Sequence, residues 1–223
     1  MLIFLLTFNF YPVLMNISPA KENILKKIRK ALSHSTPIPF PKSEGSDSVY
    51  KPAMEEVTVE FAEQFSKLQG RFVYCVNRQE LAFQLGSLIR KMDWQRVYCL
   101  EDELVEGIDL DGRQVKTDLA TCDVSVTGCE YLVARTGSIV MSAAQQSGRT
   151  TSVYAPIHIC IAHSDQLVFD LKDALQLLKD KYRTELPSQI TFATGPSRTA
   201  DIEKTLVVGV HGPKEVYVFF VES

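Results

Sequence analysis

The sequence contains few cysteines, and none of them forms a metal-binding pattern. The five cysteines of the 223 residues are scattered, without a CxxC pair or a Cys–His group at zinc spacing. The close cysteine spacing that holds an iron–sulfur cluster is missing as well. We therefore predict free, buried thiols in a reducing, cytoplasmic compartment, with no metal and no cofactor. The cysteines are Cys75, Cys99, Cys122, Cys129 and Cys160.

Strong positive charge and long apolar runs are also lacking. The formal net charge is −3, so no overall basic field supports nucleic-acid binding. The apolar leader, residues 1–14, is shorter than the roughly 20 residues of a membrane span. It has neither the basic start nor the small-residue cleavage site of a secretory signal. We predict no nucleic-acid partner and no stable membrane span, and we expect translation to begin at Met15; a membrane-associating tail is the alternative.

Several motifs of catalysis and nucleotide binding are missing too. The chain has no Walker P-loop, no GxGxxG for a dinucleotide and no GxSxG for a lipase-like serine. His158 and His163 lie on or beside one predicted strand at an odd spacing, so they should face opposite sides of the sheet. They are therefore not expected to bind one metal, and a lone strand histidine such as His158 is more often a core residue.

What the chain does contain is a regular alternation of helical and strand patterns after an N-terminal arm. Residues 15–52 predict a basic amphipathic helix, entered at Ser18–Pro19, and a Pro-rich linker. Residues 53–223 predict one α/β domain, because continuous Val, Ile and Phe runs separated by helices are typical of a largely parallel sheet covered on both faces. Two late helices are expected, at about 165–182 and 199–210. The early helix and linker also hint at a homo-oligomer.

Three polar turns are candidates for binding a small anion. The first, at 135–138, offers two hydroxyls and backbone N–H groups, and the second, at 145–152, is a flexible loop with one arginine. The third, at 194–201, is predicted to open the helix at 199–210, whose N-terminus would favour an anion. Each turn also has a purely structural explanation as a tight turn or a solvated loop. The candidate ligand-binding residues are Thr136, Gly137, Ser138, Gly148, Arg149, His158, Gly195, Ser197, Arg198, Thr199 and Asp201.

Arg198 is the strongest of these candidates. A cation at a helix start opposes the helix dipole, so its placement is costly unless it serves an anion or an acidic partner. Ser197 and Thr199 beside it could cap the same helix. We predict an anion cradle around Arg198 that Thr136, Ser138 and Arg149 close.

These segments resemble the lactate-utilisation LutC/YkgG family, which carries the LUD domain. The resemblance rests on Thr136-Gly137-Ser138 before an apolar strand, on Gly148-Arg149, and on Pro156-Ile157-His158. It is most specific over 195–203, GPSRTADIE, continued by GVHGP at 209–213. The resemblance implies a three-layer fold similar to the NagB/RpiA/CoA-transferase group. It also implies a role, with two iron–sulfur partner proteins, in oxidising L-lactate to pyruvate.

The resemblance predicts an accessory, non-redox component of lactate oxidation that binds a small anionic ligand. One departure is Arg135, which stands where family members commonly have an acidic residue; a different ligand or a missing step would follow if that acid acts on substrate. The alternative is a free-standing isomerase or CoA-transferase-like enzyme acting on a sugar phosphate or acyl-CoA, with Glu130 or Asp201 as the reactive group. A structural scaffold for the partner subunits is a third possibility. Whether the chain is itself an enzyme stays open at this point.

Overall fold

The computed structural model describes residues 19–33, 56–115, 118–199 and 207–222. The chain divides into two compact units, 1–49 and 50–223. Of the first unit, the structure describes the predicted helix α1 (Pro19–Leu32) and Ser33. The leader and most of the Pro-rich linker lie outside the described residues.

The second unit contains the remaining elements. Its helices are α2 (Val57–Lys67), α3 (Arg78–Lys91), α4 (Asp102–Val105), α5 (Thr151–Tyr154) and α6 (Leu171–Tyr182). Its longer strands are β1 (Arg71–Cys75), β2 (Arg96–Cys99), β4 (Val124–Thr127), β5 (Tyr131–Val133), β6 (Ser138–Ser142), β7 (Ile157–His163), β9 (Ile190–Ala193) and β12 (Glu215–Val221). Its two-residue strands are β3 (Gln114–Val115), β8 (Leu167–Val168), β10 (Arg198–Thr199) and β11 (Val207–Val208).

A six-stranded sheet forms the centre of this unit, in the order β1-β12-β7-β4-β2-β3. Every neighbouring pair in it is parallel. Both faces of such a sheet are buried, which explains why β7 and β12 read as almost unbroken apolar runs. The predicted α/β class with a largely parallel sheet is therefore confirmed.

Helices and a second sheet cover the two faces of the central sheet. Leu81, Leu85 and Ile89 of α3 are fully buried against one face. Asn77 caps α3 as predicted, accepting from the backbone N–H of Glu80 at 3.0 Å. On the other face lie Phe61 and Phe65 of α2, together with a four-stranded sheet in the order β8-β5-β6-β9.

The second sheet was not expected from the sequence as a separate layer. Its inner face packs on the central sheet, and its outer face packs on α6 through Val133, Val140, Ala174 and Leu178. Strand β5 was not expected either, because a three-residue strand is too short to give a clear sequence pattern.

Both late helix predictions need correction. The predicted helix 165–182 begins only at Leu171, because Asp170 caps it there by accepting from the N–H of Lys172 at 3.0 Å. The predicted helix 199–210 is wrong at both ends. Arg198–Thr199 and Val207–Val208 instead pair as antiparallel strands, while residues 200–206 lie outside the described residues.

Among the described residues, no helix combines the length and the apolar character needed to cross a bilayer.

Candidate functional site

Two of the three predicted turns meet in the structure. The hydroxyl of Ser138 lies 2.8 Å from the Thr136 hydroxyl and 3.1 Å from the Thr194 hydroxyl. We call these three side chains the turn cluster. Strands β6 and β9 are antiparallel neighbours, so the start of one lies beside the end of the other, and this pairing brings the two turns together.

The glycines of these turns pack closely on the end of α2. Gly137 and Gly195 both have positive φ angles, of +59° and +92°, which glycine tolerates best. A Cβ at Gly137 would stand 2.5 Å from the Phe65 backbone nitrogen, and one at Gly195 would stand 2.7 Å from the Leu68 carbonyl oxygen. The close approach to α2 therefore explains why both positions are glycine, without any need for a ligand.

Arg198 occupies a different position from the one predicted. It lies in strand β10, where its guanidinium donates to the carbonyl oxygen of Leu68 at the C-terminal end of α2. A cation is favourable there, since the C-terminal end of a helix carries the negative end of the dipole. The dipole conflict inferred from the sequence does not arise. Thr199 lies beside Arg198 in β10, and Asp201 lies outside the described residues.

Ser197 is held by its backbone. Its N–H donates to the carbonyl of Pro213 at 2.9 Å, and its own carbonyl accepts from Gly209 at 2.9 Å. This joins the 194–198 turn to the 209–213 segment, the two stretches that carried the family resemblance. The backbone contact between these two stretches is one structural reason for the motif residues that they contain.

Gly148 and Arg149 do not join the turn cluster. The exposed Arg149 guanidinium donates to the hydroxyl of Ser188, beside the end of β6 at which Ser142 pairs with Ile190. The turn cluster lies at the opposite end of β6, at Ser138. Four strand residues rise about 13 Å at the usual spacing. Arg149 and Arg198 therefore serve different parts of the surface.

His158 is a core residue. Its side chain is 1% exposed, and Nε2 lies 2.8 Å from the Thr127 hydroxyl. Burial lowers the pKa of His158 to about 4, so the imidazole is neutral near pH 7. This position agrees with the core alternative for a lone strand histidine.

Arg135 has an internal partner. Its Nε lies 2.6 Å from Oδ2 of Asp170, which is only 5% exposed and caps α6. An acidic residue at position 135 would place two carboxylates together. The arginine therefore supports the start of α6 in this chain.

A separate cavity lies at the carboxyl edge of the central sheet, where open α/β sheets usually bind ligands. It has a volume of about 320 Å³, and we call it the edge cavity. It lies beyond the ends of β2, β4 and β7, and the start of α3 adds one wall. The residues that line it are Arg78, Glu101, Glu103, Leu104, Gly128, Cys129, Ile161, His163 and Gln166.

Glu101 is the most unusual side chain of the edge cavity. Its Oε2 accepts from the backbone N–H of Gly128 at 3.2 Å. Its Oε1 is buried and has no hydrogen-bond partner among the described residues. A buried polar atom without a partner is rare and costs free energy. Gly128 makes the arrangement possible, because a Cβ there would stand 2.8 Å from Oε2.

The walls around Glu101 are braced by other hydrogen bonds. Gln166 donates to the carbonyl of Cys129 at 2.6 Å and accepts from the N–H of His163 at 2.8 Å, which ties the end of β7 to the end of β4. Arg78 uses Nη2 to bind the carbonyls of Glu103 and Glu106 at the end of α4. These contacts place a guanidinium, an imidazole and a carboxylate around one small space.

Glu130 follows β4 but is fully partnered. Its carboxylate is 3% exposed and accepts from Ser142 at 2.5 Å, Tyr182 at 2.6 Å and Lys181 at 2.7 Å. Burial alone would raise the pKa of Glu130, but the hydrogen bonds from Lys181, Ser142 and Tyr182 hold it below its ordinary value. Glu130 is therefore charged at neutral pH and ties β5 and β6 to α6.

All five cysteines are buried. Two effects raise the pKa of the Cys129 thiol well above its usual range: mainly the hydrogen bond with Cys160, and also burial. Such a thiol is a poor nucleophile or metal ligand. In the part of the chain that the structure describes, no three His, Cys, Asp or Glu residues converge in a way that could hold a metal ion.

Sequence reasoning missed Glu101, Gly128 and His163 as a group. Each follows or ends a strand of the central sheet, so the rule that ligands bind at the carboxyl edge would have found them. The three candidate turns predicted from the sequence, at 135–138, 145–152 and 194–201, adjoin β6 and β9 of the second sheet instead. Only the strand order shows which strand ends belong to the central sheet and which turns belong to the second sheet.

Comparisons with known proteins identify a family and several relatives of this chain. The family model of the LUD domain matches residues 53–221. Lactate utilization protein C of Halalkalibacterium halodurans is 34% identical over 127 residues, which are 56% of this chain and 55% of that protein. Lactate utilization protein C of Anoxybacillus flavithermus is 33% identical over 172 residues, 70% of this chain and 76% of that protein. With the first curated relatives, the alignment spans only about half of their length.

One solved structure is similar in fold. A DUF162 family protein from Deinococcus radiodurans superposes with a TM-score of 0.56 at 19% identity, covering 77% of this chain and 99% of that one. At this identity, the likeness supports the fold alone.

Proposed function

The chain belongs to the LUD domain family, and on that premise we propose that it takes part in lactate utilisation. Within that role we propose a non-redox component that works with iron–sulfur partner proteins in oxidising L-lactate to pyruvate and binds a small anionic ligand. The family match over residues 53–221 carries this proposal. The relatives named lactate utilization protein C support the link to lactate.

The non-redox part of the proposal is supported by the cysteines. They are buried, and the Cys129 thiol is held in its protonated form by its contact with Cys160 and by burial. Electron transfer would then depend on partner proteins that carry clusters of their own. The role of this chain would then be to bind the small anionic ligand.

The ligand contacts predicted from the sequence stay a prediction. Arg198 already binds the Leu68 carbonyl, and the three hydroxyls of the turn cluster bind one another. These internal contacts leave the groups less able to serve a ligand. Arg198→Ala tests the prediction directly: calorimetry with L-lactate should show about 10-fold weaker binding if the guanidinium holds the anion. An unchanged affinity would move the ligand elsewhere.

The alternative of a free-standing isomerase or CoA-transferase receives little support from Glu130. Hydrogen bonds to Ser142, Tyr182 and Lys181 occupy both of its carboxylate oxygens. A nucleophile or base needs a free lone pair directed at substrate. Its other predicted group, Asp201, lies outside the described residues.

Growth is the direct test of the proposed function. A strain that lacks this gene should grow poorly on L-lactate and normally on pyruvate, and the full chain supplied in trans should restore growth. The full chain should also retain iron–sulfur proteins when purified from lactate-grown cells. Normal growth of the deletion strain on L-lactate would contradict the proposal.

A further inference from the structure

We propose that two copies of this chain form a dimer in which helix α1 of each copy docks in a groove between α2 and β1 of the other copy. The proposal goes beyond the proposed function and does not depend on it. It rests on two surfaces that the single chain leaves exposed, one on α1 and one beside β1. Their apolar side chains and their charges are complementary.

Helix α1 has an apolar stripe that is open to solvent. Ile24 and Ile28 lie about one turn apart on one face, and they are 58% and 47% exposed. Leu25 lies beside them, three residues before Ile28. An amphipathic helix gains most of its stability by packing its apolar face, so this stripe needs a surface to cover it.

Basic side chains flank the stripe. At 3.6 residues per turn, Lys27 and Arg29 stand on its two sides, each about 100° around the helix from Ile28. Lys26 and Lys30 lie on the opposite face. A surface that covers the stripe should therefore be apolar in the middle and acidic at its margins.

An open groove between α2 and β1 has this character. Its volume is about 620 Å³, and we call it the α2–β1 groove. Val59, Ala62 and Ser66 line it at helical spacing along one face of α2. Phe72 and Tyr74, two residues apart on the edge strand β1, line the other side. The small side chains at 62 and 66 allow another helix to approach closely, because the distance between packed helices depends on the side chains at the contact.

Carboxylates lie at the margins of the α2–β1 groove. Glu56 and Glu63 line it on the α2 side. On the β1 side, Glu222 accepts a hydrogen bond from the Tyr74 hydroxyl. Glu63 also pairs with Lys67 at 3.5 Å, but both side chains are more than half exposed, so this pair holds Glu63 only weakly. The basic side chains beside the α1 stripe would meet opposite charges here.

The length of chain between α1 and α2 permits an exchange between two copies. Residues 34–55 connect Ser33 to Glu56, which itself lines the groove, and a segment of that length can reach at most about 75 Å. Ile28 of the stripe and Val59 of the groove are both exposed in the single chain, so the occupant is a second copy. Reciprocal docking closes a two-fold dimer, which recruits no further copies.

Sedimentation of the full chain is the first test. The wild type should form a dimer of twice the 25.1 kDa chain mass. The double variant Ile24→Ser, Ile28→Ser should weaken the dimer at least about 100-fold, because a two-fold interface contains each lost apolar contact twice. Serine and isoleucine have similar helix propensities, so the change acts on the apolar stripe and not on helix formation. A monomeric wild type, or a serine variant that dimerises as well as the wild type, would overturn the proposal.

Charge exchange tests whether α1 meets this particular groove. The variant Lys27→Glu, Arg29→Glu has an acidic helix margin and an acidic groove, while Glu56→Lys, Glu63→Lys has a basic helix and a basic groove. Each variant alone should dimerise at least about 10-fold more weakly than the wild type, because like charges then face each other. An equal mixture should regain near wild-type affinity, since both helix–groove contacts of a mixed dimer join opposite charges. A mixture no stronger than either variant contradicts the pairing.

The matched control changes the same charge on the other face of α1. Lys26→Glu, Lys30→Glu alters the net charge as much as Lys27→Glu, Arg29→Glu does, but these side chains point away from the stripe. The dimer should therefore keep its wild-type affinity. Equal weakening by the two pairs of substitutions would reveal a general effect of net charge and count against the docking.

Two other occupants give different results. If α1 fills the groove of its own chain, the wild type sediments as a monomer and the two charge variants do not dimerise when mixed. If α1 binds an acidic membrane surface, as basic amphipathic helices can, a monomeric wild type binds vesicles of phosphatidylserine and phosphatidylcholine and the serine variant does not. Either result would overturn the dimer.

Discussion

Glu130 and Glu101 are two carboxylates in similar places with different surroundings. They follow β4 and β2, which are neighbours in the central sheet, but the Glu130 side chain turns to the second sheet and α6. Glu130 accepts hydrogen bonds from three side chains. Glu101 accepts one bond from a backbone N–H, and its other oxygen has no described partner.

This difference shows that burial alone does not identify a functional carboxylate. Where partners saturate the carboxylate, the group stabilises the fold and has little left for a ligand. Where one oxygen is left without a partner, burying it costs free energy and the carboxylate stabilises the fold less. Four predictions test whether the comparison holds.

The largest effect is expected for Glu130→Ala. Removing this side chain leaves the hydroxyls of Ser142 and Tyr182 and the ammonium of Lys181 without their acceptor, so the free energy of unfolding should fall by about 3 kcal/mol. Urea denaturation measures the loss. Glu101→Ala is the control and should lose about 1 kcal/mol or less. Equal losses in the two variants would break the comparison.

Lowering the pH should reduce the stability that the charged Glu130 provides. The pKa of Glu130 is lowered in the folded protein, so its charge contributes stability above the unfolded pKa of about 4.3, and this contribution is lost as pH falls through the folded pKa. The stability gap between wild type and Glu130→Gln should therefore narrow from about pH 5 to pH 3. Urea midpoints across this range provide the measurement. His158 titrates alike in both proteins, so it does not affect the gap; a constant gap would contradict the prediction.

Gly128→Ala should have a smaller effect that depends on Glu101. The new Cβ would stand 2.8 Å from Glu101 Oε2, so the carboxylate must shift, at a cost of about 1 kcal/mol. In a Glu101→Ala background the same change should be nearly neutral. A double-mutant cycle by urea denaturation measures this coupling. Equal costs in both backgrounds would mean that Glu101 is not what limits position 128.

The smallest effect is expected for Glu101→Gln. Its Oε1 has no described partner to lose, and the amide oxygen can keep the contact with Gly128. The free energy of unfolding should therefore change by no more than about 0.5 kcal/mol. Thermal or urea unfolding checks it. A loss as large as that of Glu130→Ala would show that Glu101 is structural.

Much of the fold could be predicted from the sequence because local patterns determine it. The apolar runs of β7 and β12 and the Asn77 cap of α3 have short-range causes, and the structure confirms them. The helix expected at 199–210 failed because a short antiparallel pairing competes with it at both ends. Tertiary pairing overrides helix propensity when the strands have a sheet or hairpin to join.

The residues of the edge cavity were not predicted from the sequence. The rule that ligands bind at the carboxyl edge of a parallel sheet needs the strand order, and the sequence does not reveal which strands share one sheet. The sequence therefore cannot tell whether the 135–138 turn adjoins the same sheet as the other predicted strand ends. Strand order assigns it to the second sheet instead, and it assigns Glu101, Gly128 and His163 to one cavity.

By itself, the sequence determined the α/β class, most of the strands and the family resemblance, since each depends on residues that are close together in the chain. Only the tertiary structure decided which polar groups have partners. Arg198 found the Leu68 carbonyl 130 residues away, and Glu130 found Lys181 51 residues away. A hydrogen bond depends on distance in space, and the folded chain alone sets that distance.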